Sequence, residues 1–223
     1  MLAIRGCIVR RLSVVIMASE AREMARSVLA EALPRRWEHV QGVAGKAERV
    51  TASLALSGEV LVAAAWLHDI GYALAVVETG FHPLDGVRYL AGLGVPERVV
   101  NLVARHSNAI LEAALRGIGD LVAVFPDEGG TLRDALWYCD LTISPNGQPV
   151  SAPDRIAEIK ARYGQGHIVT RFISDGAPEL LAAVERTESR LVRQQHDRPS
   201  LVELGPPDLT SSHVSSWYSC RRA

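Results

Sequence analysis

Leu61-Val-Ala-Ala-Ala-Trp-Leu-His-Asp-Ile-Gly71 is the stretch that decides the fold, because an apolar run ends on two strong metal ligands and a glycine. The run is apolar nearly all round, which predicts a buried central helix over residues 58–69. Adjacent helical residues point about 100° apart. His68 and Asp69 can therefore reach one ion only where it lies against the flank of the helix, near its end. Gly71 suits a helix C-terminus. The stretch predicts an interior site that receives an imidazole and a carboxylate.

The sequence on both sides of this run is also predicted to be helical, and no segment alternates convincingly with the period of a strand. Apolar residues recur at helical spacing, and prolines or glycines mark the ends of the segments. The predicted helices cover residues 19–33, about 35 to the low 50s, 58–69, 83–92, 96–106, 108–124 with a break near its glycines, 131–143, 153–163, 166–174 and 177–195. The predicted fold class is therefore all-α, a helical bundle.

The 223 residues are 48% hydrophobic and 22% charged, as is typical of a globular protein. We divide the chain into an N-terminal extension over residues 1–18, a helical domain over residues 19–195, and a tail over residues 196–223 that is polar and expected to be disordered. Met17 opens a sequence that suits the start of a helix, so Met1 and Met17 both stay open as the translation start.

The overall composition excludes several classes of protein. A net charge of −1 gives no general attraction to nucleic acid. No apolar run is long enough for a membrane span. The three cysteines are widely separated and form no disulfide framework, which favours a reduced cytoplasmic location. The oligomeric state stays open.

A spaced set of histidines and aspartates forms the candidate metal site. A helical bundle can direct all of them into one cavity. Imidazole nitrogen and carboxylate oxygen suit iron, manganese, zinc or nickel better than calcium. Six ligands exceed the four of a structural zinc site, so the set predicts two ions that share a bridging carboxylate. The six residues are His39, His68, Asp69, His82, His106 and Asp140.

The order of these ligands resembles the HD-domain superfamily of metal-dependent phosphohydrolases, in particular its two-metal branch. The resemblance covers roughly residues 35–145. It is carried by Leu67-His-Asp-Ile-Gly71, by His82-Pro-Leu-Asp-Gly86 with Tyr89-Leu90, and by Ala104-Arg-His-Ser107. It implies an HD-domain-like helical bundle with an interior metal site.

The same resemblance implies the roles of the six ligands. Asp69 would bridge two divalent ions, iron or manganese before zinc, nickel or magnesium. His68 and Asp69 would be the catalytic pair. The first ion would be held by His39, His68, Asp69 and Asp140, and the second by Asp69, His82 and His106.

The implied activity is hydrolysis of a phosphate ester by a metal-activated hydroxide. The substrate would be a small phosphorylated molecule, a nucleotide or a related compound. Two alternatives stay open at this point. An HD-type diiron oxygenase would use the same six ligands, and a non-catalytic signalling module would carry the site as a remnant.

Recognition of the phosphate is assigned to residues near the motifs. Arginine can hold a phosphate through two parallel hydrogen bonds, and the candidates are Arg35, Arg36, Arg88 and Arg105, with Tyr72 as a further pocket residue. Tyr72 stands where two-metal cyclic-dinucleotide phosphodiesterases of the superfamily often have lysine, and their Gly-Tyr-Pro motif is missing. These two differences argue against cyclic dinucleotides as the substrate.

Overall fold

The structure, a computed structural model, describes residues 16–196. Every regular element in this range is a helix, and the only β-type pairing there is an isolated bridge between Ile143 and Pro149. The all-α prediction is thereby confirmed. The predicted extension up to residue 15 and the predicted tail from residue 197 lie outside the described residues. None of the helices within residues 16–196 has both the length and the apolar character needed to cross a bilayer.

Ten α-helices and two short 3₁₀ turns follow one another in this range. The α-helices are α1 (Ala18–Leu29), α2 (Pro34–Leu54), α3 (Gly58–Leu67), α4 (His82–Gly92), α5 (Glu97–Arg105), α6 (Ala109–Leu115), α7 (Gly119–Ala123), α8 (Gly130–Leu141), α9 (Ala152–Tyr163) and α10 (Ile168–His196). The 3₁₀ turns cover Ile70–Tyr72 and His106–Asn108.

Helix α3 is the centre of the bundle. Its residues 61–67 are all buried, as the uniformly apolar sequence predicts. Helices α1, α2, α5 and α8 pack around it. A second, smaller apolar core lies between α8, α9 and α10 and includes Trp137, Ile156, Phe172 and Leu180. Helix α8 therefore has one face on each core, and the predicted metal ligand that it carries, Asp140, lies between them.

Helix α10 differs from the two helices predicted over residues 166–174 and 177–195. It is continuous from Ile168 to His196 although Pro178 lies inside it. A proline in a helix interior removes a backbone hydrogen bond and costs about 3 kcal/mol. Ile173 before the proline and Leu180 after it are buried in the same core. Packing of one helix face on both sides of Pro178 offsets this cost, and a sequence pattern does not contain that information.

Candidate metal centre

The six predicted ligands converge where α2, α3, α4, α5 and α8 meet. Five of them lie at or beside a helix end, where a side chain can turn into the space between helices. They form two adjoining groups, and within each group the ligand atoms all lie within 4.8 Å of one another. The first group is His39, His68 and Asp140, and the second is Asp69, His82 and His106.

Asp69 lies between the two groups and directs one carboxylate oxygen at each. Its Oδ2 is 3.3 Å from His68 Nε2 and 3.7 Å from His39 Nε2. Its Oδ1 is 3.4 Å from His82 Nε2 and 4.0 Å from His106 Nε2. This is the arrangement that a carboxylate bridging two ions requires.

Three of the histidines are oriented through the ring nitrogen that points away from the site. Nδ1 lies 3.1 Å from a backbone carbonyl oxygen in His39, 2.8 Å in His68 and 2.6 Å in His106. A carbonyl accepts only from an N–H, so Nδ1 carries a proton and Nε2 is the ring nitrogen that faces the site. His68 Nε2 is buried and has no hydrogen-bond partner among the described residues. The donor set and this unpartnered nitrogen fit a bound divalent transition metal.

Asp140 is held from both sides. Its Oδ1 is 3.1 Å from His39 Nε2 and 3.8 Å from His68 Nε2, and its Oδ2 accepts a short hydrogen bond from the Ser107 hydroxyl. Ser107 and Asn108 both have left-handed backbones, with φ of 45° and 60°. Such a conformation costs free energy for a residue other than glycine and is concentrated at functional sites. Ser107 belongs to the motif Ala104-Arg-His-Ser107, but the sequence alone does not indicate this role for it.

The charges in the site favour the metal-binding protonation state at Asp69, His82 and His106, but not at His68. Burial alone would raise the pKa of Asp69, but the charges of Arg36 and His68 hold it well below its ordinary value. Burial lowers the pKa of His82 and of His106, so both imidazoles stay neutral. Burial also opposes protonation of His68, but Asp69 beside it raises the pKa of His68 to about 9. An ion that binds His68 therefore displaces a proton.

Gly71 sets the distance between the Asp69 end of α3 and the start of α4. A Cβ at Gly71 would lie 1.9 Å from the backbone oxygen of His82 and 2.7 Å from the nitrogen of Gly86. The glycine lies in a 3₁₀ turn, and α3 ends at Leu67. The interpretation of Gly71 as a helix C-terminus is thus replaced by a packing requirement, since only a residue without a side chain allows His82 to approach Asp69.

A pocket of about 250 Å³ opens onto the ligands, and two of the predicted substrate-binding residues line it. Arg36 Nη1 donates a hydrogen bond of 2.6 Å to Asp69 Oδ2. The Arg36 guanidinium carbon lies 4.1 Å from the centroid of the Tyr72 ring, and that ring stacks on His82 with centroids 4.0 Å apart.

The other three predicted substrate-binding arginines lie elsewhere. Arg35 lines a second cavity of about 350 Å³, which Arg36 and Tyr72 also border. Arg88 lies 3.5 Å from an exposed glutamate, and Arg105 donates to two backbone carbonyls. Neither Arg88 nor Arg105 lines either cavity. Their roles in substrate binding stay predictions.

Four polar side chains from α9 and the α9–α10 connection line the pocket without having been predicted. They lie beyond residues 35–145, which contain the motifs, and nothing in their local sequence distinguishes them from surface residues. They are Arg155, Arg162, Tyr163 and His167.

Comparison with known proteins gives one match. A family model described as the HD domain matches residues 36–157, which is more than half of the chain and includes all six candidate ligands. No curated protein and no solved structure matches the chain significantly. The match ends within α9, so that Arg162, Tyr163 and His167 lie outside it.

Proposed function

The chain belongs to the HD-domain family, and on this premise we propose that it is a phosphohydrolase with two divalent metal ions. Its substrate is a phosphate ester of a nucleotide or a related small molecule. The reaction adds water across the P–O ester bond and releases an alcohol and inorganic phosphate. The observation that carries the proposal is the position of Asp69, which faces both ligand groups beside an open pocket.

The two ligand groups divide the metal-binding work. When bound, two adjacent divalent ions activate a water molecule for attack on phosphorus and neutralise charge on the phosphoryl group. Asp69 is shared because its two oxygens face different histidine pairs. The other residues of the first ion are His39, His68 and Asp140, and those of the second are His82 and His106.

Arg36 orients the bridging carboxylate and faces the substrate. A carboxylate oxygen has two lone pairs, so Asp69 Oδ2 can accept the hydrogen bond of Arg36 and still bind an ion. Burial would lower the pKa of Arg36, but Asp69 raises it, so the guanidinium is permanently charged. Because Arg36 lines the pocket, its remaining N–H groups can donate to phosphoryl oxygens.

Tyr72 fixes the His82 ring. The two rings are stacked within 16° of parallel, and Arg36 covers Tyr72 as a cation. Burial raises the pKa of the Tyr72 phenol, so it stays protonated and does not act as a base. Its role is to hold His82 in the orientation that directs Nε2 at Asp69 and to keep water from that side of the site.

The test combines metal analysis with an assay for phosphate release. Protein purified without oxygen is analysed for bound metal, then stripped, reloaded with Fe²⁺, Mn²⁺, Zn²⁺, Ni²⁺ or Mg²⁺ and assayed on nucleoside phosphates and sugar phosphates. We expect two ions per chain and phosphate release with iron or manganese. The double variant His82→Ala/His106→Ala should keep about one ion and lose most activity, because one ion cannot hold the phosphoryl group from both sides.

His196→Ala is the matched control, because His196 is exposed and lies outside the pocket. It should keep both ions and full activity. Oxygen consumption by the iron-loaded protein, with no phosphate release under any metal, would support the diiron oxygenase instead. One ion per chain in the unmodified protein would remove His82 and His106 from the ligand set.

A further inference from the structure

We propose that the α9 wall of the pocket binds a second anionic group of the substrate. The preferred substrate is then a phosphate ester that carries a carboxylate or another phosphate away from the phosphoryl group that is cleaved. The inference rests on the proposed function, since it concerns the other end of the molecule that the metal site hydrolyses. It depends on side chains that neither the motifs nor the ligand set include.

Two arginines of α9 share one carboxylate. Glu158 Oε1 accepts hydrogen bonds of 2.9 Å and 2.6 Å from Nε and Nη2 of Arg162, and Glu158 Oε2 accepts a short one from Nη1 of Arg155. Both arginines line the pocket, but Glu158 does not. The carboxylate therefore fixes two guanidinium groups at the pocket wall and neutralises only one of their charges.

Arg155 is buried at the pocket wall and can donate hydrogen bonds to a ligand there. Arg155 is only 6% exposed, and among the described residues its side chain has Glu158 as its single hydrogen-bond partner. A guanidinium has five N–H donors, and Glu158 accepts from one nitrogen of Arg155, so its other donors are available to a molecule in the pocket. An anion in the pocket would accept from the remaining donors of Arg155 and Arg162 through charge-assisted hydrogen bonds.

The other charged groups of the lining leave the positive excess at α9. Arg36 is paired with Asp69, and Arg116 lies 2.6 Å from Glu112. Both of these pairs are balanced one to one, whereas the α9 pair is not. The remaining carboxylate of the lining, Asp140, lies among the histidines of the first ligand group, away from α9. The second anion is therefore expected at α9, apart from the arginine that faces the metal site.

The remaining lining residues near α9 and α10 indicate the chemistry of the part of the substrate that lies between its two charged groups. The Tyr163 and His167 rings stack with centroids 4.8 Å apart. The neighbouring lining residues are apolar, and they are Ile159, Val169, Phe172 and Ile173. A pocket of about 250 Å³ with such walls favours a short spacer of hydrocarbon character.

The experiment compares three esters that differ at one end. The probes are n-butyl phosphate, the phosphate ester of γ-hydroxybutanoate and the bisphosphate of the linear α,ω-butanediol. They carry a methyl group, a carboxylate or a second phosphate at the end away from the ester that is cleaved. The kcat/KM of phosphate release should be roughly tenfold higher for an anionic ester than for butyl phosphate, as expected of one charge-assisted interaction. Arg162→Ala should remove this advantage, mainly by raising KM, and leave kcat/KM for butyl phosphate within about twofold. Arg162 is 34% exposed, so its removal should not unfold the protein.

Arg171→Ala is the control, because Arg171 is 70% exposed and lies outside the pocket lining. It should leave all three esters unaffected. A preference for the bisphosphate assigns the second anion to phosphate, and a preference for the hydroxybutanoate ester assigns it to carboxylate. Equal kcat/KM for all three esters overturns the proposal. An equal loss on all three in Arg162→Ala also overturns it, because Arg162 would then bind the phosphoryl group that is cleaved.

Calorimetric binding of the same compounds separates this proposal from the proposed function. If no ester is hydrolysed, the hydrolase assignment fails. The second anion site still stands if the wild type binds an anionic ester at least tenfold more tightly than butyl phosphate and Arg162→Ala does not. Absence of that difference in binding overturns it.

Discussion

A single side chain, Asp69, connects the two halves of the metal site. Asp69→Ala should abolish binding of both ions and phosphate release, because each ligand group loses one of its carboxylate oxygens. It also leaves Arg36, whose side chain is 23% exposed, without its partner, which costs about 2 kcal/mol of stability after allowance for solvent screening. Metal analysis and urea unfolding measure the two effects. Asp175→Ala, on the exposed face of α10, is the control and should change neither. Two bound ions and full turnover in Asp69→Ala would disprove the bridge.

Ser107 combines a hydrogen bond to Asp140 with a strained backbone, and two substitutions separate these contributions. Ser107→Ala removes the hydroxyl and keeps the left-handed conformation. Ser107→Gly removes the same hydroxyl but relieves the strain, so it should be about 1 kcal/mol more stable than Ser107→Ala. Both variants should bind the first ion more weakly to the same extent, because Asp140 loses the donor that orients it.

Metal titration and thermal unfolding of the Ser107 variants give the two readouts. Asn108→Gly is the matched control, since it relieves strain at the next residue without touching Asp140. It should gain stability and keep the metal affinity of the wild type. If metal affinity follows stability across the three variants, the hydroxyl of Ser107 has no positioning role.

At the scale of elements, the 3₁₀ turn and the start of α4 approach so closely that no Cβ fits between them at Gly71. Gly71→Ala places a methyl group against the His82 backbone, so the turn and α4 must move apart. We expect a loss of about 1–3 kcal/mol of stability from overpacking, and weaker binding of the ion held by His82 and His106. Urea unfolding and metal titration measure these effects.

Gly92→Ala is the control for the Gly71 prediction. Gly92 is the last residue of α4, and a Cβ there meets nothing within 4 Å. This substitution should be neutral or slightly stabilising, because alanine has the higher helix propensity. A Gly71→Ala protein with unchanged stability and two bound ions would show that the contact is not needed.

The helices that carry ligands could be predicted from sequence because their signals are local. An apolar run that ends in His68-Asp69, and a proline that follows His82, indicate helix boundaries. The ligand roles at these boundaries were predicted from the order of the six residues and the resemblance that it carries. The continuity of α10 through Pro178 could not be predicted in this way. Local rules treat the proline as a break, and the packing that outweighs it comes from α8 and α9.

In the molecule as a whole, the convergence of residues separated by about a hundred positions is a property of the fold. The spacing of the six ligands predicted it through the resemblance to a known family, and the structure brings them together in two groups. The α9 wall of the pocket could not be predicted, since Arg155 and Arg162 line the pocket only because α9 packs beside the site. Their fixed geometry depends on Glu158, which has the ordinary i,i+4 spacing of a surface ion pair.

One buried carboxylate of α8, Asp134, adds charged hydrogen bonds to the apolar packing that attaches α10 to the bundle. The side chain of Asp134 is only 2% exposed and accepts hydrogen bonds from three arginines. Arg186 Nε lies at 2.8 Å, Arg190 Nη1 at 3.2 Å and Arg133 Nη2 at 3.1 Å. Burial would raise the pKa of Asp134, but these donors together lower it below its ordinary value of 3.8.

Asp134→Asn should therefore destabilise the protein at neutral pH, because three arginines lose their charged partner. We expect a loss of about 2 kcal/mol, less than for a fully buried ion pair, since the arginine side chains are partly solvated. A carboxylate whose pKa is lower in the folded state stabilises the fold above the pKa of the unfolded chain. That contribution is lost as the pH falls through the folded pKa. The difference in unfolding free energy between wild type and Asp134→Asn, measured in urea, should thus be largest near pH 7 and shrink towards pH 3 and below.

Glu179→Gln is the control, because it removes a half-exposed partner of the same Arg186. It should cost less than about 1 kcal/mol. A difference for Asp134→Asn that is independent of pH would mean that the charge of Asp134 does not contribute to holding α10.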